Sequence, residues 1–141
     1  MGLLRKIVAV ILVAAGLALP ATATQGPSIK GGGTTADMTR FAIAVSSGRG
    51  HFECLMPALM NVQGTVTGVT MTGASSAVFE GTAYVALPTP NPLGLPAGRI
   101  GPASFTATTA AGGPGVGQLD LKIMGMEFPG TVEHGQIQID G

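Results

Sequence analysis

Asn61-Val62-Gln63-Gly64-Thr65-Val66-Thr67-Gly68-Val69-Thr70-Met71 carries the signal from which the fold class follows. β-Branched residues dominate it, good helix formers are nearly missing, and no amphipathic helical period is sustained. Val62 and Val66 share one phase of a two-residue period, and Val69 and Met71 share the other. One strand can point both pairs inward only if its phase slips between them, so the pattern predicts a β-bulge supplied by Gly64 or Gly68.

Outward from this strand the same signature repeats at short spacing, with Gly, Pro, Ser and Asn between the runs. Expected strands are Ser28 to Gly31, Thr39 to Ser46, His51 to Met56, Asn61 to Met71, Ala77 to Leu87, Ala103 to Ala110, Gln118 to Met124 and Thr131 to Ile139. Phe41/Ile43/Val45, Leu119/Leu121/Ile123 and Ile137/Ile139 alternate as half-buried antiparallel strands require. The fold class expected is all-β: a single antiparallel β-sandwich, immunoglobulin-like or jelly-roll-like, or a small barrel of about seven to eight strands. Ser28 to Gly31 and Thr131 to Ile139 are expected at its edges, pairing within one chain or between chains.

Two stretches interrupt the pattern. From Pro88 to Pro102, five prolines (Pro88, Pro90, Pro92, Pro96 and Pro102) argue for an extended surface loop rather than a central strand. Long loops in small domains often carry contacts, which makes Asn91, Leu93, Leu95 and Arg99 the candidate contact residues. Gly112-Gly113-Pro114-Gly115-Val116-Gly117 reads as a tight connection, and with neither a Lys-Ser/Thr ending nor a following helix it is not a phosphate loop.

The N-terminus is of another kind. Arg5 and Lys6 precede an apolar run from Ile7 to Leu19, then Pro20 and Ala21-Thr22-Ala23. The run falls short of the roughly 20 apolar residues that span a bilayer, and a small-residue cleavage site follows it. Residues 1–23 are therefore expected to be a secretory signal peptide, and 24–141 one all-β domain that is secreted, extracellular or periplasmic. No membrane span is expected after cleavage. Of seven basic and seven acidic residues, Arg5 and Lys6 would leave with the signal, so the remainder is mildly acidic. That composition argues against nucleic acid or an anionic membrane as partner.

Chemistry-bearing residues are sparse. Cys54 stands alone, so no intramolecular disulfide staples the domain. In Phe52-Glu53-Cys54-Leu55-Met56 it shares a phase with Phe52 and Met56 and is expected in the core. His51 lies three residues before Cys54 and so faces the opposite side of the same strand; His134 stays open as a partner. Neither a nucleophile elbow, an H-E-x-x-H motif nor a paired-cysteine zinc spacing occurs, and no catalytic residue or cofactor is assigned. An alternative reading is a small exported copper or zinc protein using His51, Cys54, Met56 and His134, with Met60 nearby, since imidazole and soft sulfur suit those metals. A third is a glycan-binding or glycan-active domain, with a carboxylate pair drawn from Glu53, Glu80, Glu127, Glu133 and Asp140. The chain has no Trp and one Tyr, Tyr84, which leaves few rings on which to stack a sugar.

Several short pieces in order resemble the post-COAP domain of secreted and cell-surface bacterial proteins. They are Gly31-Gly32-Gly33 before Phe41, Gly50-His51-Phe52-Glu53-Cys54, Val62 to Thr67, and Ala77-Val78-Phe79-Glu80-Gly81-Thr82-Ala83. Gly113-Pro114-Gly115-Val116-Gly117 and Gly135-Gln136-Ile137-Gln138-Ile139 complete the series. The family commonly places Asp before and after its Gly-Pro-Gly turn, where this chain has Ala110-Ala111 and Gln118. The resemblance implies an all-β fold and an exported location, and brings no catalytic residues. The resulting expectation is a non-catalytic module with a structural or interaction role at or outside the cell, binding a protein or cell-surface partner.

Overall fold

Alternation of apolar and polar residues, punctuated by turn formers, produces nine strands and no helix among the described residues. The computed structural model describes residues 26–88, 90–91 and 94–141; the expected signal peptide and Leu93 lie outside them. The strands are β1 (Ser28–Thr34), β2 (Arg40–Ser46), β3 (Arg49–Met56), β4 (Met60–Gly73), β5 (Ser76–Leu87), β6 (Gly98–Ala110), β7 (Gln118–Ile123), β8 (Met126–Thr131) and β9 (His134–Asp140). All belong to one sheet in the order β8-β7-β6-β5-β4-β3-β2-β1-β9. The chain meanders antiparallel from β1 to β8, and β9 then returns to pair with β1.

The long middle strands make this sheet curl. β4 pairs with β3 only as far as Val66, and its remainder pairs with β5 alone. The register to β5 slips between Val66 and Gly68, leaving Thr67 unmatched. That is the expected bulge, next to Gly68, and it turns Val62, Val66, Val69 and Met71 to the same side. β7 in turn pairs only with Phe105–Ala110 of β6. One half of the sheet, β9-β1-β2-β3 with the adjoining halves of β4–β6, therefore folds over the other half, which carries β7 and β8. The result is a curled half-barrel with a side-chain-filled interior. Phe52 of the first half meets Phe79 and Phe105 at ring-centroid distances of 5.4 and 5.8 Å, and those two lie 6.1 Å apart. Phe41, Ile43, Val45, Leu119, Leu121, Ile123 and Ile137 are buried in the same core, and Ile139 packs partly buried against it.

Where the two halves meet, Gly112 and Ile137 exchange both backbone hydrogen bonds at 2.9 Å. Beside them, Gly115 N–H donates to Val132 O at 2.9 Å and Val132 N–H to Gly117 O at 2.8 Å. Met38, Thr35 and Val132 are buried in the connecting loops. The Met38 N–H donates to Thr35 Oγ1 at 3.2 Å, which orders the β1–β2 connection.

Three sequence expectations change. There are nine strands rather than seven to eight, because the run expected from Thr131 to Ile139 starts only at His134 and is preceded by β8, Met126–Thr131. Pro129 and Gly130 hide β8 in the sequence, yet a proline is tolerated on a strand with one neighbour. The proline-rich loop ends before Gly98, and Pro102 sits inside β6. There the register against β5 slips between Ala83 and Val85, and β6 has not yet met β7, so the missing N–H breaks no ladder. Finally, β1 is not an edge: it extends to Thr34 and is paired on both sides within the chain. Its glycines permit this, since a Cβ at Gly31 would come within 2.5 Å of the Gln136 carbonyl oxygen on β9.

Candidate functional site

Because the interior is filled, the groups available to solvent are those on the outer face, and cross-strand register decides which of them become neighbours. One row runs Arg40, Leu55, Asn61, Ala86, Arg99 across β2 to β6. The next runs Ala42, Glu53, Gln63, Tyr84. A third runs Lys30, Ala44, His51, Thr65, Thr82, Ser104. The small Ala42 and Ala44 leave a depression of about 400 Å³ beside His51, Glu53 and Gln63. A second, of about 240 Å³, lies between Leu55, Asn61, Gln63, Tyr84 and Arg99. Glu53 and Gln63 line both, so the two form one shallow groove across the strands.

Two contacts organise its ends. Arg40 Nη2 lies 3.4 Å from Glu53 Oε1, with both side chains well exposed, a geometry that adds little stability but sets the carboxylate's orientation. The Arg99 guanidinium sits 4.0 Å above the Tyr84 ring centroid, a cation–π contact. Tyr84 is 43% exposed and Leu55 39%, so an aromatic and an aliphatic surface stand open beside planar amide, carboxylate and guanidinium groups.

Of the contact residues expected from the sequence, Arg99 belongs to this groove, from a strand rather than a loop. Asn91 is a loop organiser. Its side-chain amide donates to Pro88 O at 3.0 Å and Leu95 O at 2.6 Å, and its Oδ1 accepts from Leu95 N–H at 3.3 Å. Leu95 is 42% exposed. Tyr84, Asn61 and Gln63 were not among the expected contacts. Their only sequence signal is that they occupy the polar phase of their strands.

The histidines and sulfur groups divide between the two sides of the sheet. Cys54 and Met56 are buried in the core while His51 is exposed on the outer face. His134 opens β9, close to the row Gly135-Gly33-Phe41-Cys54, three strands from Cys54 and hence roughly 14 Å away at ordinary strand spacing. Among the described residues no three His, Cys, Asp or Glu side chains form a metal-holding group. Burial pushes the Cys54 thiol up to about 12, against a weaker opposing hydrogen bond with the Val62 backbone. A thiol held protonated in this way is a poor nucleophile.

The expected carboxylates separate as well. Glu53 pairs with Arg40, Glu80 lies beside Gly68, and Glu133 and Asp140 are exposed at or near opposite ends of β9. Glu127 is hydrogen-bonded to Asp120, which together with the Asp120 charge raises its pKa. Carboxyls in direct contact are closer than the roughly 5 to 9.5 Å between the two groups of a glycosidase. Compared with protein-family models, curated proteins and solved structures, the chain matches none.

Proposed function

We propose that the chain is an exported, non-catalytic interaction module at or outside the cell, and that its contact surface is the outer face of β2–β6 around Tyr84. The observation that carries this reading is the grouping of Tyr84, Leu55, Arg99, Asn61, Gln63 and Glu53 along one open groove. Aromatic and Arg side chains are the residue types that dominate binding energy at contact surfaces. The filled interior supports a rigid scaffold rather than a ligand container, and the Gly112–Ile137 exchange favours a small barrel as its finer description.

The export part of the proposal rests on the Arg5-Lys6, apolar and Ala-Thr-Ala sequence of the N-terminus. The post-COAP-like order of strands and turns is consistent with such a location. The copper or zinc reading draws no support from Cys54 and Met56 facing away from His51.

The test has two parts. N-terminal sequencing of protein recovered outside the cytoplasm should begin at Thr24. The purified exported protein should co-sediment with cell envelopes, and the Tyr84→Ala/Arg99→Ala double variant should remain in the supernatant. Retention of an uncut N-terminus inside the cell, or envelope binding indifferent to that variant, overturns the proposal.

A further inference from the structure

The fold sorts charges that are mixed in the sequence. Lys30, Arg40, Arg49 and Arg99 lie on the half of the sheet that carries the groove, and the fifth basic residue of the domain, Lys122, lies on β7. Opposing them on that half are Glu53, already ion-paired with Arg40, Asp37 in the β1–β2 connection, Glu133 just before β9 and Asp140 at the far end of β9. Glu80, Asp120 and Glu127 occupy the other half, around Lys122. The groove half is thus balanced, the acidic excess of the domain lies on the other half, and the charged groups at the groove are Arg99 and the Glu53–Arg40 pair. Among the described residues Arg99 makes no ion pair, so its planar donor fork over Tyr84 is available to an incoming anion. A guanidinium in that position matches a carboxylate bidentately.

The groove also selects between kinds of acidic polymer. It runs across the strands on the face of the sheet, where the backbone N–H and C=O groups are already engaged in the ladders. A peptide gains main-chain bonds chiefly at a sheet edge, so it would find only side chains here. A saccharide needs no backbone partners: its hydroxyls bond to amides, carboxylates and hydroxyls, and its apolar ring face packs on an aromatic one. Asn61, Gln63, Glu53 and Tyr84 supply those groups in adjacent rows. Arg40 and Arg99 end the first row four strands apart, about 19 Å at ordinary strand spacing. That span suits an extended chain rather than a single small molecule.

We infer that the groove binds an acidic polysaccharide, with Arg99 taking a uronate carboxylate and Tyr84 with Asn61 and Gln63 taking the sugar ring. This rests on the contact surface proposed above and names its ligand class. The experiment is affinity electrophoresis of the purified exported protein through gels containing polygalacturonate, its fully methyl-esterified form or poly-glutamate, at physiological salt. Polygalacturonate should retard the protein and the ester should not. Arg99→Gln and Tyr84→Ala should each weaken retardation at least tenfold, Arg99→Lys should fall between, and Lys122→Gln on the other half should leave it unchanged. Thermal unfolding of each variant shows that it is folded.

Three results overturn the inference: no retardation by polygalacturonate, equal retardation by poly-glutamate with the same variant dependence, or a Lys122→Gln loss as large as that of Arg99→Gln. If envelope binding still requires Tyr84 and Arg99 while polygalacturonate is ignored, the ligand class is wrong and the interaction module stands.

Discussion

The ring of Phe105 on β6 lies against Gly64 of β4, two strands away: a Cβ on Gly64 would sit 2.8 Å from Phe105 Cε1 and 3.0 Å from Cζ. The missing side chain at Gly64 is thus the space that the aromatic cluster occupies. A glycine in a strand interior is normally a weakness, and here a neighbouring ring covers it. Gly64→Ala should destabilise the domain by about 1 to 3 kcal/mol through overpacking. Combined with Phe105→Leu, the two changes should cost less than their sum in a double-mutant cycle read by urea unfolding. Strict additivity would show that the two residues do not compete for space.

Cys54 should be silent in the native protein. With its thiol buried and pushed up to about 12, a disulfide reagent at pH 8 should label it only as fast as the domain opens. The folded state then holds a proton that the unfolded chain releases above roughly pH 8.5. The stabilising contribution is therefore complete below that value. It is lost as pH rises toward 12, by at most about 1.4 kcal/mol per pH unit. Cys54→Ala should lower the plateau of stability and flatten this alkaline fall; an unchanged alkaline limb would point to another group.

Glu127 should report on acid conditions in the opposite sense from a carboxylate in an ordinary ion pair. The hydrogen bond from Glu127 to Asp120 and the nearby charge raise the Glu127 pKa, and Lys122 only partly offsets them. Stability from the shared proton is complete below the ordinary Glu range and is lost as pH rises through the elevated Glu127 value. Glu127→Gln keeps a hydrogen-bond donor without the second charge. Its Tm should exceed that of the native protein at pH 7, and the two should converge near pH 4. A constant difference across that range would remove the pair from the explanation.

Gly135 carries a φ of 93° where β9 crosses Gly33, and a Cβ there would collide with the Gly32 carbonyl oxygen. Gly135→Ala should therefore cost more than about 1 kcal/mol, combining left-handed strain with the clash. The loss should localise to β9, seen as faster hydrogen exchange at the Ile137 amide, whose bond to Gly112 O joins the halves of the sheet. Unaltered protection at Ile137 would mean that β9 is held by its β1 ladder alone.

Much of the fold was legible because two-residue alternation reflects burial directly. Phe41, Ile43 and Val45 face inward as their spacing requires, and Cys54 lies in the core while His51 does not. The phase slip between Val66 and Val69 did announce a bulge. β8 was illegible because Pro129 and Gly130 carry turn signals that an edge position tolerates. β6 began earlier than expected because a register slip absorbs Pro102.

The candidate site was less legible. In the sequence Arg99 reads as a loop residue, and nothing in the order of residues brings it to Tyr84. Asp120 was likewise not matched with Glu127, seven positions on.

Which residues face the core and where most strands turn can be told from the order of residues alone, because both follow from local backbone geometry and side-chain period. The tertiary structure decided who stands beside whom. The Thr67 bulge, the slip at Pro102 and the return of β9 to β1 set the cross-strand register, and register places Arg40, Glu53, Gln63, Tyr84 and Arg99 in one groove. Strand register is settled by packing between segments distant in the chain, for which no local pattern carries the information.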